Sequence, residues 1–156
     1  HKEKNGSVVG FPEAKAISGE EILETECTIL IPAALENQIT QKNASRISAK
    51  IVAEAANVPT TPQADEILFK NKILLIPDIL ANGGGVTISY FEWVQHPRRE
   101  YWTEYEDNER LDKDISKAFA DVYNTHEKHG VNMRKASTLL AIEKVAEATR
   151  IRGLWP

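Results

Sequence analysis

The chain has a single cysteine, Cys27, in 156 residues, which rules out an intrachain disulfide and fits a reducing, cytoplasmic setting. Cys27 sits in Cys27-Thr28-Ile29-Leu30-Ile31, an apolar run where a buried, inert thiol is expected rather than a nucleophile. No apolar run approaches the ~20 residues of a membrane-spanning helix, and no signal peptide opens the chain. Positive charge is also short. Against 23 Asp and Glu stand 19 Lys and Arg, a net charge of −4, which argues against nucleic acid or an anionic membrane as partner. No metal is expected either: His126 and His129 are spaced i, i+3, but zinc needs further ligands that the sequence does not offer. Glu104 to Glu109 suits the dipole of a helix start rather than a cation. Repeats, low-complexity tracts and glycine/serine linkers are absent. So is the G-x-G-x-x-G fingerprint of a dinucleotide-binding turn, since Gly83-Gly84-Gly85 lacks its spacing.

What is present alternates. Ser18-Gly19-Glu20-Glu21 forms a capping box and predicts a short helix to about Thr25. Cys27 to Ile31 reads as a continuous strand buried on both faces. Thr40 is placed to cap a helix through Arg46. Lys50 to Ala53 is the next strand, Thr61 and Pro62 open a helix reaching Phe69, and Ile73 to Ile76 is a third strand. Such alternation predicts βαβ units and a parallel sheet. Beyond Gly85 the chain reads as helix: Val86 to Gln95 stopped by Pro97, then a long helix capped by Thr103 and ended by Gly130. Leu111, Ile115, Ala118, Phe119, Val122 and His126 share one face of that long helix. A last helix spans about Arg134 to Arg152, with Leu139, Ile142, Val145, Ala146 and Thr149 expected inward. Three or four strands is thin for so many helices, and His1 to Val9 reads as a segment entering from elsewhere. The pattern suggests half of a larger sheet.

Two of the strands run directly into asparagine-bearing loops. Behind Lys50-Ile51-Val52 come Ala53 to Pro62, with Asn57; behind Ile73 to Ile76 come Pro77 to Trp93, with Asn82. In an open parallel sheet, ligands bind just beyond the carboxyl ends of the strands. Amides there donate and accept hydrogen bonds without adding charge. A turn asparagine bonding its own backbone is the plainer role for each. Val86 and Ser89, at i and i+3, share a helix face one turn further on. Tyr90, Phe91 and Trp93 are expected to be helix packing.

Taken in order, Ile29 to Thr40, Ala53 to Pro62 and Pro77 to Trp93 closely resemble the glutamate dehydrogenases, in the Glu/Leu/Phe/Val dehydrogenase family. Tyr101-Trp102-Thr103-Glu104, Ala146 to Arg150 and Arg152-Gly153 agree, so the resemblance covers nearly the whole chain. It implies an α/β fold: the second half of a Rossmann-like parallel sheet of three to four strands, followed by C-terminal helices. Residues 1–96 would be the C-terminal half of the dinucleotide-binding domain, and residues 97–156 helices returning towards the substrate domain. It further implies NAD or NADP as cofactor, L-glutamate, 2-oxoglutarate and ammonia as reactants, and a homo-oligomer, usually a hexamer. Asn57 and Asn82 would lie at the nicotinamide end, Ala33 and Ala34 against the adenosine ribose, and Val86 and Ser89 along the glutamate pocket. The catalytic lysine and aspartate of such enzymes would lie upstream, which makes the isolated chain inactive by expectation.

Two departures from the family pattern stand out. Val58 occupies a position where glycine is usual, although a branched side chain avoids positive φ, and Gly83 stands where alanine is usual. Two other readings stay open: a leucine- or phenylalanine-type dehydrogenase on the same frame, disfavoured by Ser89, and a non-catalytic module that kept the fold.

Overall fold

The computed structural model describes residues 1–99 and 101–153. Leu154 to Pro156, the last residues of the expected C-terminal segment, lie outside the described residues. In chain order the elements are α1 (Lys2–Asn5), α2 (Gly19–Leu23), β1 (Ile29–Leu30), a 3-10 turn (Ala44–Arg46), β2 (Ile51–Ala53), α3 (Pro62–Lys70), β3 (Leu74–Ile76), α4 (Asp78–Ala81), α5 (Gly84–Arg98), α6 (Glu104–His129) and α7 (Met133–Arg152). The strands form one parallel sheet in the order β1-β2-β3, with Ile29 opposite Ile51 and Ile51 opposite Leu74. The α/β reading holds.

Local capping chemistry sets several boundaries. Ser18 and Thr103 each form a complete capping box, with Glu21 and Glu106 as partners. At α3 the Thr61 side chain accepts the Ala64 N–H, and Pro62 follows in the first turn. Such caps each contribute about 1 kcal/mol. Gly130 ends α6 at φ +60, where a side chain would be strained.

Four expectations need correction. The strand expected over Cys27 to Ile31 is only Ile29–Leu30, and it sits at the sheet edge with Ile29 and Ile31 more than half exposed. Within this chain β1 pairs with β2 alone, and no helix of the described residues covers Ile29 and Ile31. The helix expected from Thr40 shrinks to the turn Ala44–Arg46. The start is there, since Thr40 accepts the Lys42 N–H at 3.3 Å and Asn43 accepts the Thr40 N–H at 2.7 Å, but Ile47 turns extended and stops the helix after one turn. Helix α5 starts two residues earlier than expected, because the Gly83 carbonyl accepts both the N–H and the hydroxyl of Thr87. It also runs through Pro97, which removes one N–H bond in the last turn, and ends at Arg99 with φ +52.

The fourth correction concerns α7. Its buried side chains are Met133, Ala136 and Ser137, with Leu140 packed beside them. Leu139, Ile142 and Val145, expected inward, are exposed. The helix carries two apolar stripes, and only the one on its first two turns meets the sheet.

Two apolar clusters hold the fold. Ile39, Ala44, Ile47, Val52, Leu68 and Leu75 fill the space between the sheet, α3 and the connection from β1 to β2. Leu80, Val122, Met133 and Ala136 lock α4, α6 and α7 together against β3. Cys27 packs, half-buried, on the edge of the first cluster, in keeping with a structural thiol. Residues 1–22 are exposed throughout. Among the described residues, no helix is long and apolar enough to cross a membrane.

Candidate functional site

All three strands deliver their loops to the same end of the sheet, and backbone hydrogen bonds zip these loops side by side. After β1, the Pro32 carbonyl accepts the N–H groups of Ala55 and Ala56 at 3.1 and 2.9 Å. Further along, Asn37 and Ile39 donate to the carbonyls of Val58 and Pro59, both at 2.9 Å. The loop after β2 is tied in turn to that after β3, because the Val58 N–H donates to Asp78 Oδ2 at 2.8 Å. The result is an open shelf rather than a closed pocket. A hollow of about 390 Å³, lined by Phe69, Ile73, Leu75, Tyr123 and His126 among others, opens at the start of β3, away from the shelf.

On the shelf the two asparagines meet. Asn82 Nδ2 donates to Asn57 Oδ1 at 2.9 Å, across a sequence separation of 25. Among the described residues neither Asn57 Nδ2 nor Asn82 Oδ1 makes a hydrogen bond, which leaves an NH2 group and a carbonyl oxygen open at the shelf surface. That pair is the hydrogen-bonding complement of a primary carboxamide. The plainer reading, two turn amides each satisfying its own backbone, does not describe this geometry.

Ala33 and Ala34 follow Pro32 on the same shelf, exposed. Asn82 caps the end of α4, and α5 begins two residues later, carrying Val86 and Ser89, both exposed, on its first turns. None of the three consecutive glycines has a positive φ; they open the helix instead of forming a loop. A Cβ at Gly85 would meet nothing within 4 Å, so the shelf is open on that side. Of the three aromatics expected to pack, only Phe91 is buried, edge-on to Trp102 at 5.5 Å; Tyr90 and Trp93 are exposed at 58% and 69%. An amphipathic helix has one inner face, and these two residues lie off it.

Val58 adopts φ +48 despite its branched side chain. The hydrogen bonds from its N–H to Asp78 and from Asn37 to its carbonyl hold it there. The sequence departure therefore leaves the left-handed geometry in place and loads it with strain.

Behind the shelf lies an ionic cluster that the sequence reading missed. Glu54, fully buried at the end of β2, accepts Arg134 Nη2 on both carboxylate oxygens at 2.7 Å, and the Asp78 N–H at 2.8 Å. Arg134 also donates from Nε to Asp65 Oδ2 at 2.7 Å and from Nη1 to Asp78 Oδ1 at 3.0 Å. One guanidinium thus serves three carboxylates. Burial opposes the charge on Arg134, but its bonds to Glu54 and Asp65 outweigh that and hold its pKa above the ordinary value. Burial also works upward on Asp78; the N–H groups of Val58 and Ile79, with Arg134, overcome it and hold the carboxyl below the usual aspartate range. At Asp65 burial prevails over the pull of Arg134, with Glu54 and Glu66 adding to it, and the pKa is raised. Asp65 is the least compensated member, since its Oδ1 is buried without a hydrogen-bond partner. A signal was present in the sequence: Glu54, Asp65 and Asp78 interrupt otherwise apolar, inward-facing positions. Their common partner lies 56 to 80 residues away, beyond the reach of any local pattern.

The chain is similar to known proteins over nearly its whole length. The family model described as Glutamate/Leucine/Phenylalanine/Valine dehydrogenase matches residues 1–153. A glutamate dehydrogenase of Thermotoga maritima is 51% identical over 156 residues, covering 100% of this chain and 38% of the relative. An NAD-specific glutamate dehydrogenase of Clostridioides difficile is 48% identical over 155 residues, 99% of this chain and 37% of the relative. Among solved structures, the hetero-hexameric glutamate dehydrogenase of Thermus thermophilus superposes with a TM-score of 0.87 at 32% identity, over 99% of this chain and 36% of its own. The chain thus spans well under half the length of the relatives it matches.

Proposed function

This chain belongs to the glutamate/leucine/phenylalanine/valine dehydrogenase family, and from that membership we propose that it is the C-terminal part of an NAD(P)-dependent glutamate dehydrogenase. The reaction is the oxidative deamination of L-glutamate to 2-oxoglutarate and ammonia, in a cytoplasmic oligomer, a homo-hexamer on the family pattern. The observation that carries this reading is the Asn57–Asn82 pair at the carboxyl ends of the strands, with a free amide NH2 group and a free carbonyl oxygen.

Those groups fit a nicotinamide carboxamide in kind, and Gly85 leaves the approach clear. When bound, the nicotinamide supplies the hydride acceptor; orientation and electrostatics are the protein's share. In this assignment Asn57 and Asn82 orient the ring, Ala33 and Ala34 leave room for the cofactor to lie against the backbone, and Val86 and Ser89 line the glutamate pocket. The Ser89 hydroxyl donates to the glutamate side-chain carboxylate. Proton transfer and carbonyl polarisation belong to residues upstream of this segment, so the segment alone turns over no substrate.

Asn82→Ala in the full-length enzyme tests the assignment. Losing the bridge and the free acceptor is expected to raise the cofactor KM and to lower kcat by about tenfold or more, since a misplaced reacting group costs up to about a hundredfold. Unchanged cofactor KM and kcat would remove Asn82 from the site. Glutamate and leucine turnover by the unaltered enzyme separates the glutamate reading from the leucine-type one.

A further inference from the structure

We infer that Arg134 is a positioning residue for hydride transfer: one guanidinium on α7 fixes the roots of both asparagine loops, and so sets the geometry of the Asn57–Asn82 pair. The inference rests on the functional reading above. One arm runs from Arg134 Nη2 to Glu54, three residues before Asn57. Another runs from Nη1 to Asp78, which opens α4, and Asn82 closes that same helix. Cross-ties join the arms, because Glu54 accepts the Asp78 N–H and Asp78 accepts the Val58 N–H. Arg134 itself is held at the start of α7: Asn132 caps the helix through the Lys135 N–H, and Lys135 pairs with Glu66 on α3 at 2.6 Å. Two ties join the loop roots directly, Glu54 to the Asp78 N–H and Asp78 to the Val58 N–H, and the Arg134 fork braces both carboxylates that make them.

The shape of that fork matters. It directs donors to three carboxylates at once, whereas a lysine ammonium is a point charge on a flexible stem. A reactive constellation must be held within ~0.5 Å, and a displacement of ~1 Å costs roughly a hundredfold in rate. Arg134 touches neither substrate nor cofactor in this assignment; it acts through Glu54 and Asp78.

The test is Arg134→Lys in the full-length enzyme, with kcat, both KM values, the primary isotope effect on 2-deuterated L-glutamate and thermal unfolding all measured. We expect kcat to fall about 10- to 100-fold, the glutamate KM to stay within about threefold, and the isotope effect on kcat to rise as hydride transfer becomes rate-limiting. Should R134K fail to fold, Asp78→Asn weakens the Nη1 arm together with the Val58 cross-tie and is expected to give the same split. A lowered unfolding temperature with kcat and isotope effect unchanged, in whichever variant folds, would overturn the inference and leave Arg134 a packing residue. An unaltered enzyme that does not reduce NAD(P) with glutamate would instead sink the functional reading, and this inference with it.

Discussion

Replacing Glu54 by Gln changes almost no volume and removes one charge from a fully buried side chain. Its consequences follow from counting acceptors. Glu54 takes hydrogen bonds from Arg134 Nη2 on both oxygens and from the Asp78 N–H on Oε2, so every neighbour of the carboxylate is a donor. An amide has only one acceptor oxygen. If that oxygen faces Asp78, the amide NH2 is set against the guanidinium; if it faces Arg134, the NH2 opposes the Asp78 N–H. Either way one charge-assisted bond is lost, about 1.5–3 kcal/mol, and a buried donor is left unpaired, about 1–3 kcal/mol. Together these give about 2.5–6 kcal/mol, a large part of the total stability of a domain. The loss should appear locally before it appears globally, because the Asp78 N–H is bonded to Glu54 directly. Amide hydrogen exchange of the segment 77–81 in the full-length enzyme reads this: a 3 kcal/mol loss corresponds to roughly a hundredfold faster exchange. A change of less than about threefold would mean that the cluster relaxes or admits water, and that the donor count misjudges it.

Two more outcomes follow from strain and charge. Val58→Gly should be more stable than Val58→Ala by about 1 kcal/mol in urea unfolding, because φ +48 penalises any Cβ; equal stabilities would show that the left-handed geometry carries no strain. For Asp78, the folded pKa lies below the ordinary value, so its contribution is present above about pH 4 and is lost as pH falls through the lowered value. The stability gap between the unaltered protein and Asp78→Asn should therefore shrink below about pH 4, and a gap independent of pH would contradict the ion-pair account. Asp65 has the opposite sign: its raised pKa means that acid relieves a cost there, which blunts the overall acid loss.

Hydrophobic periodicity located α6 and its inner face but misplaced the contact on α7. Both helices carry apolar residues at helical spacing. In α6 the inner face lies on a single stripe, whereas α7 has two, and a sequence cannot say which one meets the sheet. Thr40 does cap a turn, but the extended backbone at Ile47, on the way into β2, ends it where local sequence suggested a longer helix. Each asparagine loop was legible separately, from a strand followed by turn residues. That the two amides touch depends on parallel pairing of β2 with β3.

By itself the sequence determined the features whose cause lies within a few residues. These are the capping boxes at Ser18 and Thr103, the Thr61-Pro62 helix start, the left-handed stop at Gly130, and the apolar strands that run into Asn57 and Asn82. The tertiary structure alone decided that Val58 is held at positive φ and that Arg134 gathers Glu54, Asp65 and Asp78 behind the shelf. The physical reason is range. A cap or a turn is satisfied by its neighbours, whereas a buried carboxylate is satisfied only when folding brings up a counter-charge from 56 to 80 residues away.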